Sequence, residues 1–282
     1  MTTAEGDVGR AEIAAVLSDL GLSDGVLCVH SSLRSFGTVA GGPDAIIDGV
    51  LDVGATLLVP TSSSRFCKAP KPSGLPPIPY NSENDGSIPA QGHVPPAGYR
   101  TSATFVEPDM GAVPAALLRR PERRRGDHPL NSFSAIGPAA DRLIEPTTPT
   151  DVFAPLTGLV GLGGSILCMG VGLDTVTLLH LAELNAGLRL LTRWGMYADG
   201  SVRSARHGGC SSGFGRLAPV VAPALRQATV GASSWLILDA ATLLDVATAA
   251  FAADPDAGHC ADRDCIRCND QTAYGRRRTD LR

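Results

Sequence analysis

The sequence predicts a layered α/β protein built on a parallel sheet. Three observations carry that expectation. Short apolar runs stand at residues 26–29, 56–60 and 165–169. The first two end in polar turns, His30-Ser31-Ser32-Leu33 and Thr61-Ser62. A helical start separates those two runs, and strand, polar turn, helix, strand is the rhythm of a parallel α/β sheet.

The elements follow in order. Ile13, Val16, Leu17 and Leu20 recur at helical spacing, which predicts a first amphipathic helix. Gly25 leads into the strand at 26–29. Gly41-Gly42-Pro43 opens a second helix, with proline suited to its first turn. Residues 56–60 form the next buried strand. Parallel sheets bind ligands at the carboxyl ends of their strands, so residues 30–33 and 60–62 are expected to share one edge. Prolines at 70, 72, 76, 77, 79, 89, 95 and 96 mark an irregular stretch, a lid or a disordered loop. Residues 110–119 read as a helix broken by Pro121. Residues 133–136 and 165–169 read as strands. Asp174 or Thr175 is expected to cap a helix reaching Ala186. Residues 236–238 and 240–252 supply a last strand and a last helix.

Bulk properties narrow the function. With 282 residues and 44% hydrophobic content, the chain supports one large core. A net charge of −4, 5% aromatics and no basic stripe speak against nucleic acid. No secretory segment and no 18-residue apolar run is visible, so a soluble cytoplasmic protein without membrane partners is expected. The domain reading is a single domain over 1–282, with a proline-rich lid at about 65–100 and a cysteine-rich tail at about 258–282.

Several residues are suited to chemistry. His128 is pinned by Pro129 after a run of arginines, and reads as a positioned general base or an ordinary loop histidine. His180 and Glu183 stand three apart on one helix face. Glu183, among leucines, needs a partner: His128, a substrate amine, or an arginine such as Arg189 or Arg193. Ser31, Ser32 and Ser35 either bind a carbonyl or phosphate or cap their turn. Arg119, Arg120, Arg123, Arg124 and Arg125 form a solvated helix end or grip an anionic cofactor. Asp174 either caps its helix, the preferred reading, or supports the site. Cys260, Cys265 and Cys268 make a C-x4-C-x2-C pattern that Cys210 or His259 would complete as a structural zinc site. The alternative is a set of reduced thiols.

Three blocks in order carry a family resemblance. They are residues 29–37 with Val39-Ala40-Gly41-Gly42; Met110-Gly111 with His128-Pro129-Leu130-Asn131-Ser132-Phe133; and residues 170–175 with His180-Leu181-Ala182-Glu183. The chain resembles the aminoglycoside 3-N-acetyltransferase family, the antibiotic N-acetyltransferase fold, from about residue 10 to 250. The resemblance implies an α/β fold distinct from the common GNAT acetyltransferase fold. It implies acetyl transfer from acetyl-CoA to the 3-amino group of a 2-deoxystreptamine antibiotic, hence antibiotic resistance. It casts His128 as general base and Glu183 as its orienting group. It places CoA against Ser31, Ser32, Leu33, Arg34, Val39, Ala40, Gly41, Gly42, Ser132 and Phe133. The expected partners are a small amine and CoA, with the chain a monomer or homodimer. Between 189 and 208 only Asp199 is acidic, sparse for a polycationic substrate. Acetylation of another amine, and a zinc-stabilised binding protein without turnover, are the alternatives.

Overall fold

The computed structural model describes residues 7–67, 74, 77–82 and 97–279, with side chains through 274. Most of the expected lid, residues 68–73, 75, 76 and 83–96, lies outside the described residues.

The strands are β1 (Asp7–Val8), β2 (Val26–Ser31), β3 (Thr38–Val39), β4 (Thr56–Pro60), β5 (Arg124–Arg125), β6 (Phe133–Ile136), β7 (Ser165–Met169), β8 (Leu191–Met196), β9 (Val202–His207), β10 (Leu225–Val230) and β11 (Ser233–Asp239). The helices are α1 (Arg10–Asp19), α2 (Pro43–Asp52), α3 (Ala112–Leu117), α4 (Ala140–Ile144), α5 (Ala154–Gly161), α6 (Leu178–Asn185), α7 (Ala218–Val221), α8 (Ala240–Ala253) and α9 (Ile266–Thr279).

Seven strands form one mixed sheet in the order β10-β11-β7-β2-β4-β6-β5. Its centre, β7-β2-β4, is parallel, and antiparallel strands β11 and β6 flank it. The parallel centre is covered on both faces, so its strands read as continuous apolar runs. The period of two still sorts their side chains. Leu27, Val29, Leu57, Val59, Leu167 and Met169 face α1, α2 and α3, where Ile13, Leu17, Ile46 and Val50 meet them. Cys28, Leu58, Ile166 and Cys168 face the opposite layer, packed with Leu143, Leu156, Leu179, Leu243 and Phe251 from α4, α5, α6 and α8. Pro43 occupies the first turn of α2 as expected.

The β8–β9 hairpin stands outside the main sheet. It is tied back by isolated bridges from Cys67 to Gly195 and from Tyr99 to Tyr197. The helix α9 docks on the base of that hairpin. Arg189 lies over the Tyr274 ring at 4.8 Å, and Gln271 donates to the Arg189 carbonyl at 3.4 Å. Among the described residues, no helix is long and apolar enough to cross a membrane.

Candidate active site

A cavity of about 720 Å³ opens at the carboxyl ends of the parallel strands. His30 and Ser31 reach it from β2, Pro60 from the end of β4 and Ser62 from the turn that follows. This is the crevice where parallel α/β sheets hold ligands, and the two polar turns do share it as expected. Further walls come from Glu107 and Asp109, from Asn131, from Asp174 through Thr177, and from the loop after β9.

On one wall stands His180, carried by α6. This helix is apolar on nearly every side, with residues 178–183 all buried. A carboxylate in that setting is costly unless it is paired. Glu183 is 4% exposed, and its Oε2 lies 2.7 Å from His180 Nδ1. One helical turn puts i and i+3 on the same face, so the helix itself delivers the pair. Nδ1–H donates to the carboxylate, which sets the tautomer and leaves Nε2 with its lone pair. Among the described residues no hydrogen bond occupies Nε2. Phe153 stacks parallel to the ring at 6.3 Å, and Phe214 leans on it at 4.8 Å. The imidazole is therefore held in orientation, and it retains a free basic nitrogen on the cavity wall. Arg189 and Arg193 are engaged elsewhere. Arg189 donates to the carbonyls of Pro79 and Tyr80, and Arg193 to those of Thr192 and Ser82.

His128 is not presented to this cavity, which corrects the sequence-based assignment. Its ring is fully buried. Nε2–H donates to the Arg206 carbonyl at 2.7 Å, and Nδ1 accepts from the Asn131 and Leu130 amides at 2.8 and 3.2 Å. Both nitrogens are thus consumed by backbone groups. Burial pushes its pKa down to about 4, so the ring is neutral near pH 7. His128 ties the turn that presents Asn131 to strand β9.

The other expected residues divide. Asp174 lines the cavity, but it does not cap α6. It lies in the 3-10 turn Leu173–Thr175, and the helix begins after Thr177, which makes no side-chain cap. Of the residues assigned to CoA, Ser31 and Phe133 line the cavity. Ser32, Leu33 and Arg34 continue into the turn beyond β2, and Val39, Ala40, Gly41 and Gly42 lead into α2; none of the seven is among the lining residues. Ser132 is fully buried, accepting from Arg125 Nε at 3.0 Å and donating to the Thr61 carbonyl at 2.9 Å. It has no free face for a cofactor.

The arginine run is structural. Arg125 is buried and donates to the carbonyls of Ala103, Phe105 and Thr61, joining two loops. Arg120 pairs with Asp44 and Asp48, and Arg124 with Asp141. None of the five arginines lines the main cavity.

Three site features escaped the sequence reading. Glu107 and Asp109 add acidic groups beside Asp174, and Arg193 and Arg267 add basic ones. The carboxylates come from a segment far from 189–208, which is why that stretch looked poor in acid. Asn131 donates to the Ser62 hydroxyl at 3.2 Å, giving the rim a polar pair.

Neither Cys28 nor Cys168, in the strands beneath the cavity, is an activated thiol. Cys28 Sγ lies 3.9 Å from His30 Nε2, but burial pushes the thiol up and pushes His30 down to about 4. Both are neutral, the opposite of an activated thiolate–imidazolium pair. Burial also raises Cys168, to about 12.

Comparison with known proteins identifies the family. The family model described as aminoglycoside 3-N-acetyltransferase matches residues 28–252. Aminoglycoside N(3)-acetyltransferase IX of Micromonospora chalcea is 36% identical over 192 residues, covering 65% of this chain and 64% of that protein. The chain thus spans just under two thirds of that relative. The crystal structure of aminoglycoside acetyltransferase AAC(3)-IVa, apoenzyme, superposes with a TM-score of 0.72 at 25% identity, covering 97% of this chain and 100% of that one. Aminoglycoside acetyltransferase AAC(3)-Xa superposes with a TM-score of 0.69 at 29% identity, covering 88% and 93%. The chain belongs to the aminoglycoside 3-N-acetyltransferase family.

Proposed function

We propose that the chain is an acetyl-CoA-dependent aminoglycoside 3-N-acetyltransferase in which His180 is the general base and Glu183 orients it. The observation that carries this reading is the 2.7 Å His180–Glu183 contact on the cavity wall, with Nε2 open.

The chemistry follows from the groups present. An aminoglycoside amine is an ammonium ion near neutral pH and cannot attack until it loses a proton. Nε2 of His180 accepts that proton, and the nitrogen attacks the thioester carbonyl of acetyl-CoA. The carboxylate of Glu183 stabilises the imidazolium that forms. The N–C bond forms and the C–S bond breaks; of the two protons the nitrogen gives up, one passes through His180 to the departing thiolate and the other is released to solvent. Direct transfer is the reading favoured by Cys28 and Cys168, both neutral and buried in the strands beneath the cleft. Glu107, Asp109 and Asp174 supply negative charge for the other ammonium groups of a polycation. A volume of about 720 Å³ is in the range of a drug-sized ligand site.

The test is thiol release from acetyl-CoA across a panel of 2-deoxystreptamine aminoglycosides, with the acetylated position located by NMR. Release above hydrolysis background and a 3-N-acetyl product are expected. No release with any aminoglycoside would remove the reading.

A further inference from the structure

We propose that Cys210, Cys260, Cys265 and Cys268 bind one structural zinc ion that clamps a wall of the active-site cavity to the C-terminal helix. Their four Sγ atoms all lie within 4.8 Å of one another. A tetrahedral zinc tetrathiolate, with Zn–S near 2.3 Å, has sulfur–sulfur edges of about 3.8 Å. The cluster is thus one small contraction away from a filled site. Each thiol releases its proton on binding, and zinc undergoes no redox change.

The local fold explains why the four meet. Cys265 immediately precedes α9 and Cys268 lies in its first turn, so the C-x2-C spacing turns both sulfurs to one side. The Asn269 amide donates to the Cys265 carbonyl at 2.9 Å, which secures that turn. Cys260 approaches from the preceding loop. Cys210 comes from a different part of the chain, the loop after β9. Three of the four are buried. All are free thiols, with no disulfide among them. His259, the other residue with a claim on the fourth position, is excluded by its bonds. Its Nδ1 engages the Cys260 carbonyl at 2.9 Å and its Nε2 engages Asn269 at 3.1 Å.

The position of the cluster gives the ion a role beyond the tail. The loop bearing Cys210 includes Gly208, Gly209 and Ser211, which stand on the cavity wall with His207 at the end of β9, and α9 contributes Arg267 to the same wall. Gly208 lies against the His180 ring, where an added Cβ would come within 2.8 Å of Cδ2. At Gly209 an added Cβ would overlap the Gln271 side chain of α9. The loop is therefore wedged between His180 and α9, and the four-sulfur site is the covalent-strength link holding it there. Metal binding to such a site contributes directly to folding free energy.

Metal analysis of the full chain, purified under reducing conditions without added metal, tests this apart from any turnover. The expected results are about one zinc per chain, and the intense visible bands of tetrahedral thiolate coordination after cobalt replacement. Cys265→Ser should lose the metal, while Cys265→His, which restores a ligand, should keep it. Chelation should lower the melting temperature by roughly 10 °C or more and raise amide exchange at residues 207–211. Metal-free protein that takes up neither zinc nor cobalt would overturn the proposal. So would cystines among these residues, zinc retained equally by Cys265→Ser, or melting indifferent to chelator. Failure here would leave the acetyl-transfer reading standing, since that rests on His180 and Glu183.

Discussion

Replacing His128 with alanine separates a structural histidine from a catalytic one. The substitution strands the Leu130 and Asn131 amides and the Arg206 carbonyl, all bonded to the imidazole. A buried group left without its partner costs about 1–3 kcal/mol. The vacated ring leaves a void in a fully buried position, which adds to the cost. The sum is roughly 3–6 kcal/mol, a large share of a native stability of about 5–15 kcal/mol. At about 2–4 °C per kcal/mol for a chain of this size, melting should fall by roughly 6–24 °C. Activity of the folded fraction, measured at low temperature, should fall by less than about tenfold, well short of the scale expected when a general base is removed. Thermal melts followed by circular dichroism and initial rates at 15 °C give both numbers. An unchanged melting temperature with kcat reduced a hundredfold would return His128 to the role of base.

Two further outcomes follow from the same geometry. His30 and His128 are both held near pKa 4 by burial, below the value of about 6.5 expected unfolded. As pH falls through 6.5 the unfolded chain takes up protons that the folded chain refuses, so stability drops across the window from 6.5 to 4 and this loss ends below it. Each histidine contributes up to about 3 kcal/mol of that loss, measurable as urea midpoints at pH 7.5, 5.5 and 4.5; midpoints that rise toward pH 4.5 would contradict it. Asp174→Asn should raise KM for an aminoglycoside by about fivefold, the effect of one solvent-exposed ammonium contact, with kcat nearly constant. Added salt should raise the wild-type KM in the same direction; a kcat effect without a KM effect would place Asp174 in the chemistry instead.

The parts of the fold legible in the sequence were those whose burial is uniform. Strands β4, β6 and β7 match the apolar runs residue for residue, because a strand covered on both faces shows no polar interruption. Strand β10, at the sheet edge, carries Arg226, Gln227 and Thr229 and has no such signature. The β8–β9 hairpin was invisible for a related reason. Its Arg193, Arg203 and Arg206 serve carbonyl contacts, an ion pair and the cavity wall, so the pattern is set by polar partners distant in sequence. Helix α9 has little apolar periodicity, and it is anchored through Cys268, Gln271 and the Arg189–Tyr274 contact.

In the site, the three-residue spacing of His180 and Glu183 was readable from the helix alone. Which histidine faces the cavity was not. That depends on which backbone groups occupy the two ring nitrogens, and the Arg206 carbonyl that holds His128 lies 78 positions away. The four-cysteine cluster was legible for the opposite reason. Three of its members fall within nine residues, and thiolate spacing near a helix start is a local pattern.

In the proposed reaction the proton leaves the attacking amine through His180 Nε2. His180→Ala, assayed with acetyl-CoA and its best aminoglycoside under saturation, tests this most directly. The expected result is a kcat lower by about two to four orders of magnitude, with folding intact by circular dichroism. Turnover within tenfold of the unaltered chain would contradict it.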